Sequence, residues 1–359
     1  MSTAKFARSL PGHIATALAL VATTVLAYAC TASMYYEGWG QPFPALLSYI
    51  VPWVACLVLC MVALRSPRIG SALLFAAGAI GGGWWLSMQT ERGGISAQVI
   101  FTFVIMFGPV IVASGLFLLE ARHRRLLREE AVEPSPRWLA RNYRSVLLIG
   151  VPILVVVIVS AMRLPQLLSR LDDGFRGSRI IRGNGVTLIW APRGPGWNWK
   201  VPGEGYVSWD MIALYGALPV GLEGKDRSDL AGASPQDMER NSLCAYLDQD
   251  GKELLAKPSY VWRMPTVDEI LRSLTRGGEN AGCAREGSAP YAECSRTPDK
   301  ETPLWAPDQP PIYYWAAEEY DSTTAYCVNY TGGLNHQPKS SRTTGFRCVK
   351  DTSRSAEGR

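Results

Sequence analysis

Histidine is scarce in this chain. Three occur in 359 residues, and only His336 lies beyond the apolar first half. Metal centres built on several imidazoles are therefore excluded from the second half. A large excess of one charge is also missing: 36 Lys and Arg against 31 Asp and Glu leave +5. That is too little at this length for the electrostatic footprint of a nucleic-acid binder. No segment repeats at a fixed period, so solenoids and propellers are not indicated. The first apolar run has no small-residue cleavage site ahead of a polar start, and it does not read as a removable signal peptide.

Most informative is the absence of charge from five long runs, residues 14–35, 44–64, 70–88, 95–119 and 145–162. A helix of about 20 residues crosses the hydrocarbon of a bilayer, so five transmembrane helices are expected over residues 1–163. Channels and transporters usually carry intramembrane ionisable groups or paired broken helices. Neither appears, so the bundle reads as an anchor or a docking surface. Pro52 and Pro109 are expected to kink their helices, and Gly78, Gly81, Gly82 and Gly83 to admit a close neighbour. Lys5 and Arg8 precede the first run, and Arg65 and Arg68 follow the second. Arg122, Arg124, Arg125, Arg128, Arg137, Arg141 and Arg144 follow the fourth, while the two other loops carry only Arg92. The positive-inside rule then puts the N-terminus in the cytoplasm and the C-terminal half outside it. Tyr35, Tyr36, Trp39, Trp84 and Trp85 fall at the outer interface. The Arg-rich loop is a topology signal, with anionic headgroups as its second reading; His13 and His123 merely flank spans. The texture is bacterial, which implies a multi-pass protein of the plasma (inner) membrane whose first partner is the lipid bilayer.

Of eight cysteines, Cys30, Cys56 and Cys60 lie within apolar runs and behave as small hydrophobes. Cys244, Cys283, Cys294, Cys327 and Cys348 lie in the second half, where an oxidising compartment favours disulfides. Five is odd, so one thiol is left over. The expected bridges are Cys283 with Cys294, closing a short loop, and Cys348 with Cys244 or Cys327.

Residues 164–185 read as a juxtamembrane helix and a Gly- and Arg-rich linker. A strand is expected over 186–190, ended by Pro192, Gly194, Pro195 and Gly196. Ser208 is placed to cap one helix and Ser234, followed by Pro235 and Asp237, a second that carries Leu243, Cys244 and Leu247. Residues 221–232 form a polar loop, and Asp250 with Gly251 a turn. Thr266 stands three residues before Glu269, a capping-box spacing, and Ile270, Leu271 and Leu274 supply the apolar face of a short helix. Residues 277–303 read as loop, and strands are expected over 312–315, 325–330 and 345–349. The tail from 351 reads as disordered.

WRMPTVDEI (residues 262–270) resembles the "WRLPTxxE" signature of the formylglycine-generating enzyme, or sulfatase-modifying factor, superfamily. YVSWD (206–210) resembles that family's "VSW" helix opening, and GFRCVK (345–350) its terminal "GFRC" strand. YWAAEEY (314–320) ahead of AYCVNY (325–330) is closer to the "YWSSTE" pattern of bacterial surface domains of the Lcl C-terminal type. The segments occur in the family's order across roughly 186–350. The resemblance implies an α+β C-type-lectin-like fold with long loops, joined to the α-helical bundle. It makes Trp209, Trp262, Arg263, Pro265, Thr266, Glu269, Trp315, Phe346, Arg347 and Cys348 the structural signature, with Arg263 as a clamp on neighbouring loops.

The enzymes of this family hold copper(I) on two closely spaced cysteines upstream of the terminal strand, and soft thiolates suit that ion. Cys327 stands where the second would be, and Ser322 where the first would be. The enzyme reading therefore rests on Cys327 plus a second thiol brought from Cys283, Cys294 or Cys348. Glu318, Glu319 and Asp321 are candidate calcium ligands, since hard cations take several oxygens. Asn329 and Thr331 fit a glycosylation sequon. Trp197, Trp199, Trp305, Tyr313 and Tyr314 are candidate contacts for a protein, peptide or glycan, because Trp and Tyr give large amphipathic contact area. The expected function is a non-catalytic binding or interaction domain, with no cofactor, displayed outside the cytoplasm. A copper oxidoreductase of the formylglycine-generating type, acting on a protein cysteine, is the second reading. A structural subunit of a membrane complex is the third.

Overall fold

The computed structural model describes residues 3–39, 43–91, 95–128, 138–201, 205–217 and 232–352. Arg92, Arg137, most of the expected loop at 221–232 and the tail beyond 352 lie outside the described residues. The chain forms two compact units, Met1–Leu168 and Ser169–Arg359.

Among the described residues the first unit has five helices long and apolar enough to cross a membrane. They are α1 (Thr3–Ser33, continued by a π-helical turn over Met34–Gly38), α2 (Phe43–Arg65), α3 (Pro67–Glu91), α4 (Ala97–Arg128) and α5 (Trp138–Leu168). Each overruns its apolar run because the polar flanks keep helical geometry. The core is made of small side chains and a few large ones: Ala15, Ala19, Ala63, Leu74, Ala113, Phe117 and Leu148. α1 packs on α4 and α5, and α3 on α4. Ser71 Oγ donates to the Ser114 carbonyl at 2.6 Å, joining α3 to α4. At Gly82 an added Cβ would stand 2.7 Å from Phe103, and so the helix approach there depends on glycine. At Gly83 nothing lies within 4 Å, contrary to the expectation for that residue. Arg144 is more than a topology signal. It donates to the buried Glu120 at 2.8 Å and reaches His13 Nδ1 at 2.9 Å, tying α5 to α4 and α1.

The second unit has short elements. β1 (Arg179–Gly183), β2 (Val186–Trp190) and β12 (Val349–Asp351) form one antiparallel sheet in the order β1-β2-β12. Thus the expected juxtamembrane helix is the end of α5, the stretch expected to be linker contains β1, and Asp351 belongs to a strand rather than to the tail. A second antiparallel sheet, β11-β10-β9, joins Tyr313–Glu319 (β9), Thr324–Asn329 (β10) and Leu334–Pro338 (β11). Two-residue ladders pair β3 (Lys200–Val201) with β4 (Gly205–Tyr206), β5 (Thr275–Arg276) with β6 (Glu279–Asn280), and β7 (Cys283–Ala284) with β8 (Glu293–Cys294).

Among the described residues, three short α-helices lie between these strands. In α6 (Trp209–Ala213) the Ser208 hydroxyl accepts from the Met211 amide. In α7 (Pro235–Asn241) Ser234 and Asp237 close a capping box, and in α8 (Val267–Arg272) Thr266 and Glu269 do the same. The helix expected to carry Cys244 stops at Asn241, and a 3-10 turn over Leu243–Tyr246 follows. Trp190, Trp209, Trp262, Trp305 and Trp315 are all fully buried.

Candidate functional site

Three of the signature residues, Arg263, Thr266 and Glu269, meet where α8 approaches β12. The Arg263 amide donates to the Val349 carbonyl at 2.9 Å, and Val349 returns the bond at 2.8 Å. This fixes the Arg263 backbone beside the last strand. Its guanidinium then grips both oxygens of Glu269, at 2.7 and 2.6 Å, and the Asp351 carboxylate at 3.0 Å. Glu269 also accepts from the Thr266 amide at 2.8 Å, so a single carboxylate closes both the helix cap and the clamp. Burial by itself would raise the Glu269 pKa, but the Arg263 guanidinium and the Thr266 amide outweigh it and hold the carboxyl below its usual range. The clamp thus ties a helix start and the last strand together chiefly through carboxylates, with the Met264 carbonyl also accepting from Arg263 at 3.3 Å.

A second centre surrounds Arg347, which is fully buried. Its Nε donates to the Ala191 carbonyl at 2.7 Å, and Nη1 donates to the carbonyls of Leu304, at 2.8 Å, and Pro303. The guanidinium lies 3.6 Å from the centroid of the Trp197 ring. Trp197 Nε1 donates to the Tyr314 hydroxyl at 2.8 Å, and Tyr314 stacks on Trp305 at 3.8 Å. Trp197, Trp305 and Tyr314 are therefore core, correcting their expected place as surface contacts; Trp199 and Tyr313 are half-buried. The loops that carry them fold back over the core, and periodicity does not reveal that.

Cys327 is buried on β10, paired to Trp315 of β9 and Asn335 of β11. Burial pushes its thiol up to about 12, the state of an inert structural cysteine rather than of a nucleophile. Cys244 is bonded to Cys348, and Cys283 to Cys294, so every partner thiol considered for it is occupied. Cys327 is left free.

Glu318, Glu319 and Asp321 diverge. The Glu318 carboxylate accepts from the Val267 amide at 3.0 Å, and Glu319 accepts from Lys339 Nζ at 2.7 Å. Asp321 accepts from the Thr323 and Thr324 amides at 2.8 and 2.7 Å. Each oxygen donor serves its own turn or ion pair, and this corrects their grouping as calcium ligands. Among the described residues no cluster of three His, Cys, Asp or Glu is placed to hold a metal. Asn329 is buried and accepts from the Thr331 and Gly333 amides, so its side chain shapes a turn.

Other residues stand where contacts were sought. Tyr260, Tyr291 and Tyr320 are exposed. Tyr320 stacks on His336 at 4.1 Å and meets Tyr326 edge-on at 5.4 Å, placing three rings on the outer face of the second sheet. Strand alternation around the buried Ala325 and Cys327 was the signal for an outward Tyr326. His336 lies on β11 directly opposite Tyr326.

Comparison with known families, curated proteins and solved structures gave no match.

Proposed function

We propose that this is an integral membrane protein that presents a non-catalytic, sulfatase-modifying-factor-like recognition domain outside the cytoplasm. The observation that carries this reading is the state of the thiols: Cys327 is buried and its neighbours in the family argument are tied in disulfides. A copper site of the formylglycine-generating kind needs two available thiolates, and beside the buried Cys327 this arrangement supplies no second one. Two disulfides belong to an oxidising compartment, which agrees with the orientation inferred from the basic loops and with a bacterial plasma membrane. The C-type-lectin-like description draws its support from the ordered motifs, the extensive loops and the short sheets. Recognition is assigned to the exposed tyrosines and to the Tyr320, Tyr326 and His336 surface, whose partner is a protein, peptide or glycan.

Thiol mapping by mass spectrometry on the purified full chain, with and without copper(I), tests the reading. The expected result is two intact bridges and a Cys327 that alkylates only after denaturation, unchanged by copper. Copper protection of Cys327 together with a second free thiol would sink the recognition reading in favour of the oxidoreductase.

A further inference from the structure

Within the membrane unit, α1, α2, α3 and α4 line an open-sided cavity of about 660 Å³. Room is left by small side chains: Ala22 and Ala29 on α1, Ala55 on α2, and Ala77, Gly78 and Gly81 on α3. Pro52 and Pro109 stand in its wall, and α5 contributes nothing to it. Among the described residues no charged side chain lines it, and the polar side chains in its wall are Cys56, Trp84 and Trp85. Val25, Trp84, Val104 and Ile105 line the cavity and are also exposed, so it is continuous with the surface that a bilayer covers.

The size and chemistry of the wall select the occupant. The volume is roughly four times that of an engineered cavity of about 150 Å³ that binds benzene. A recess of this size has to be filled by whatever lies against it, because its wall atoms otherwise lack contact partners. Water does not solve this, because each buried water needs two to four polar partners and this wall offers almost none. Hydrocarbon does, and the bilayer brings it to the opening. Trp84 and Trp85 mark the end of the cavity nearest the α3–α4 connection, where amphipathic rings suit the headgroup level.

We infer that α1–α4 form a receptor for one acyl chain of a bilayer phospholipid. This goes beyond the recognition domain, for which the membrane unit need only be an anchor. Native mass spectrometry and lipid extraction of the full chain purified in mild detergent test it, together with melting in added phospholipids of different chain length. The wild type is expected to retain one phospholipid, and long-chain phospholipid to raise its melting temperature by several degrees while a six-carbon analogue does not. Ala77→Phe and Ala55→Phe fill the cavity, and each should lower lipid occupancy at least tenfold and abolish the chain-length dependence. Ala77→Leu is a milder filling should the bulkier variants fail to fold, and it should give an intermediate loss. Ile80→Phe, on an exposed position outside the wall, should behave as wild type. The inference is overturned if the wild type carries no lipid and shows no chain-length dependence, or if the filled variants keep the lipid. It is overturned equally if the retained species is an isoprenoid lipid, or if a second copy of the chain closes the cavity.

Discussion

In the membrane unit the central side chains are Ala15, Ala19, Ala63, Leu74 and Phe117. In the C-terminal unit they include five tryptophans, the Arg347 guanidinium and the Lys300 ammonium stem. The difference follows from the solvent each unit faces. Between helices in lipid there is no hydrophobic drive, and association depends on close approach by small residues and on a few hydrogen bonds. In water, burying an aromatic side chain stabilises by about 1.5–3 kcal/mol, which rewards large rings. The C-terminal unit also has little regular structure, and its loop carbonyls need donors from elsewhere. Arg347, Lys339 and the Trp209 and Trp262 indoles supply them, each donating to a main-chain carbonyl. In the helices the ladder itself satisfies those groups.

The largest effect expected from that contrast is at Arg347. Arg347→Ala leaves the carbonyls of Ala191, Pro303 and Leu304 without their donor and exposes the Trp197 face to a void. The cost should be about 3–5 kcal/mol, read as loss of protease resistance and of the C-terminal unit's melting transition. Arg347→Lys should recover little, because an ammonium has neither the planar fork nor the stacking face. Wild-type melting of both variants would break the idea that buried cations replace a backbone ladder here.

Of similar size is the effect of the disulfides. Cys244–Cys348 spans 104 residues and Cys283–Cys294 spans 11. On chain entropy alone the long loop is worth about 4–5 kcal/mol and the short one about 2–3. Paired Cys→Ala replacements followed by thermal melting of the full chain should preserve that order. A reversed order would mean that native strain or unfolded-state structure offsets the loop entropy of the long bridge, which the loop lengths do not express.

How far these features were legible depends on whether they are periodic or local. The five spans were readable because hydropathy over 20 residues needs no tertiary information. The caps at Ser208, Ser234 and Thr266 were readable because each is decided within four residues. The Cys283–Cys294 pairing followed from a short loop, while Cys348 had two candidate partners until the fold brought Cys244 to it. β11 escaped notice because Leu334–Pro338 shows no apolar alternation and ends in proline. The burial of Trp197, Trp305 and Tyr314 escaped because non-local folding of loops, not spacing, encloses them. The α8–β12 clamp was half legible: Thr266 and Glu269 announced the cap, but Asp351 joins it from 88 residues away.

That clamp carries the third expectation, smaller because Arg263 is partly exposed. Glu269→Gln keeps the shape but removes the charge facing the guanidinium, and should cost about 1–2 kcal/mol by chemical denaturation. The same contact predicts acid sensitivity. Glu269 has a folded pKa below its unfolded value, so its contribution is complete above the ordinary carboxylate range and is lost as pH falls through the depressed value. Wild type should therefore lose stability on acidification more steeply than Glu269→Gln. Parallel pH profiles would show that the carboxylate contributes no linked stability.

The smallest effect should come from the membrane side. Ser71→Ala removes the hydrogen bond from α3 to the Ser114 carbonyl. Hydrogen bonds between membrane helices average about 0.6 kcal/mol, because the separated helices also find partners. Ser71→Ala should accordingly shift the unfolding midpoint of the bundle in detergent only slightly. The deletion is chemically similar to removing one of Arg347's donors, yet the backbone it serves is already closed by a helical ladder. A cost several times larger would mean that this contact fixes the α3–α4 approach on which the neighbouring cavity depends. In that case Ser71→Ala should also change lipid retention, and the membrane unit would depend on specific polar contacts as the C-terminal unit does.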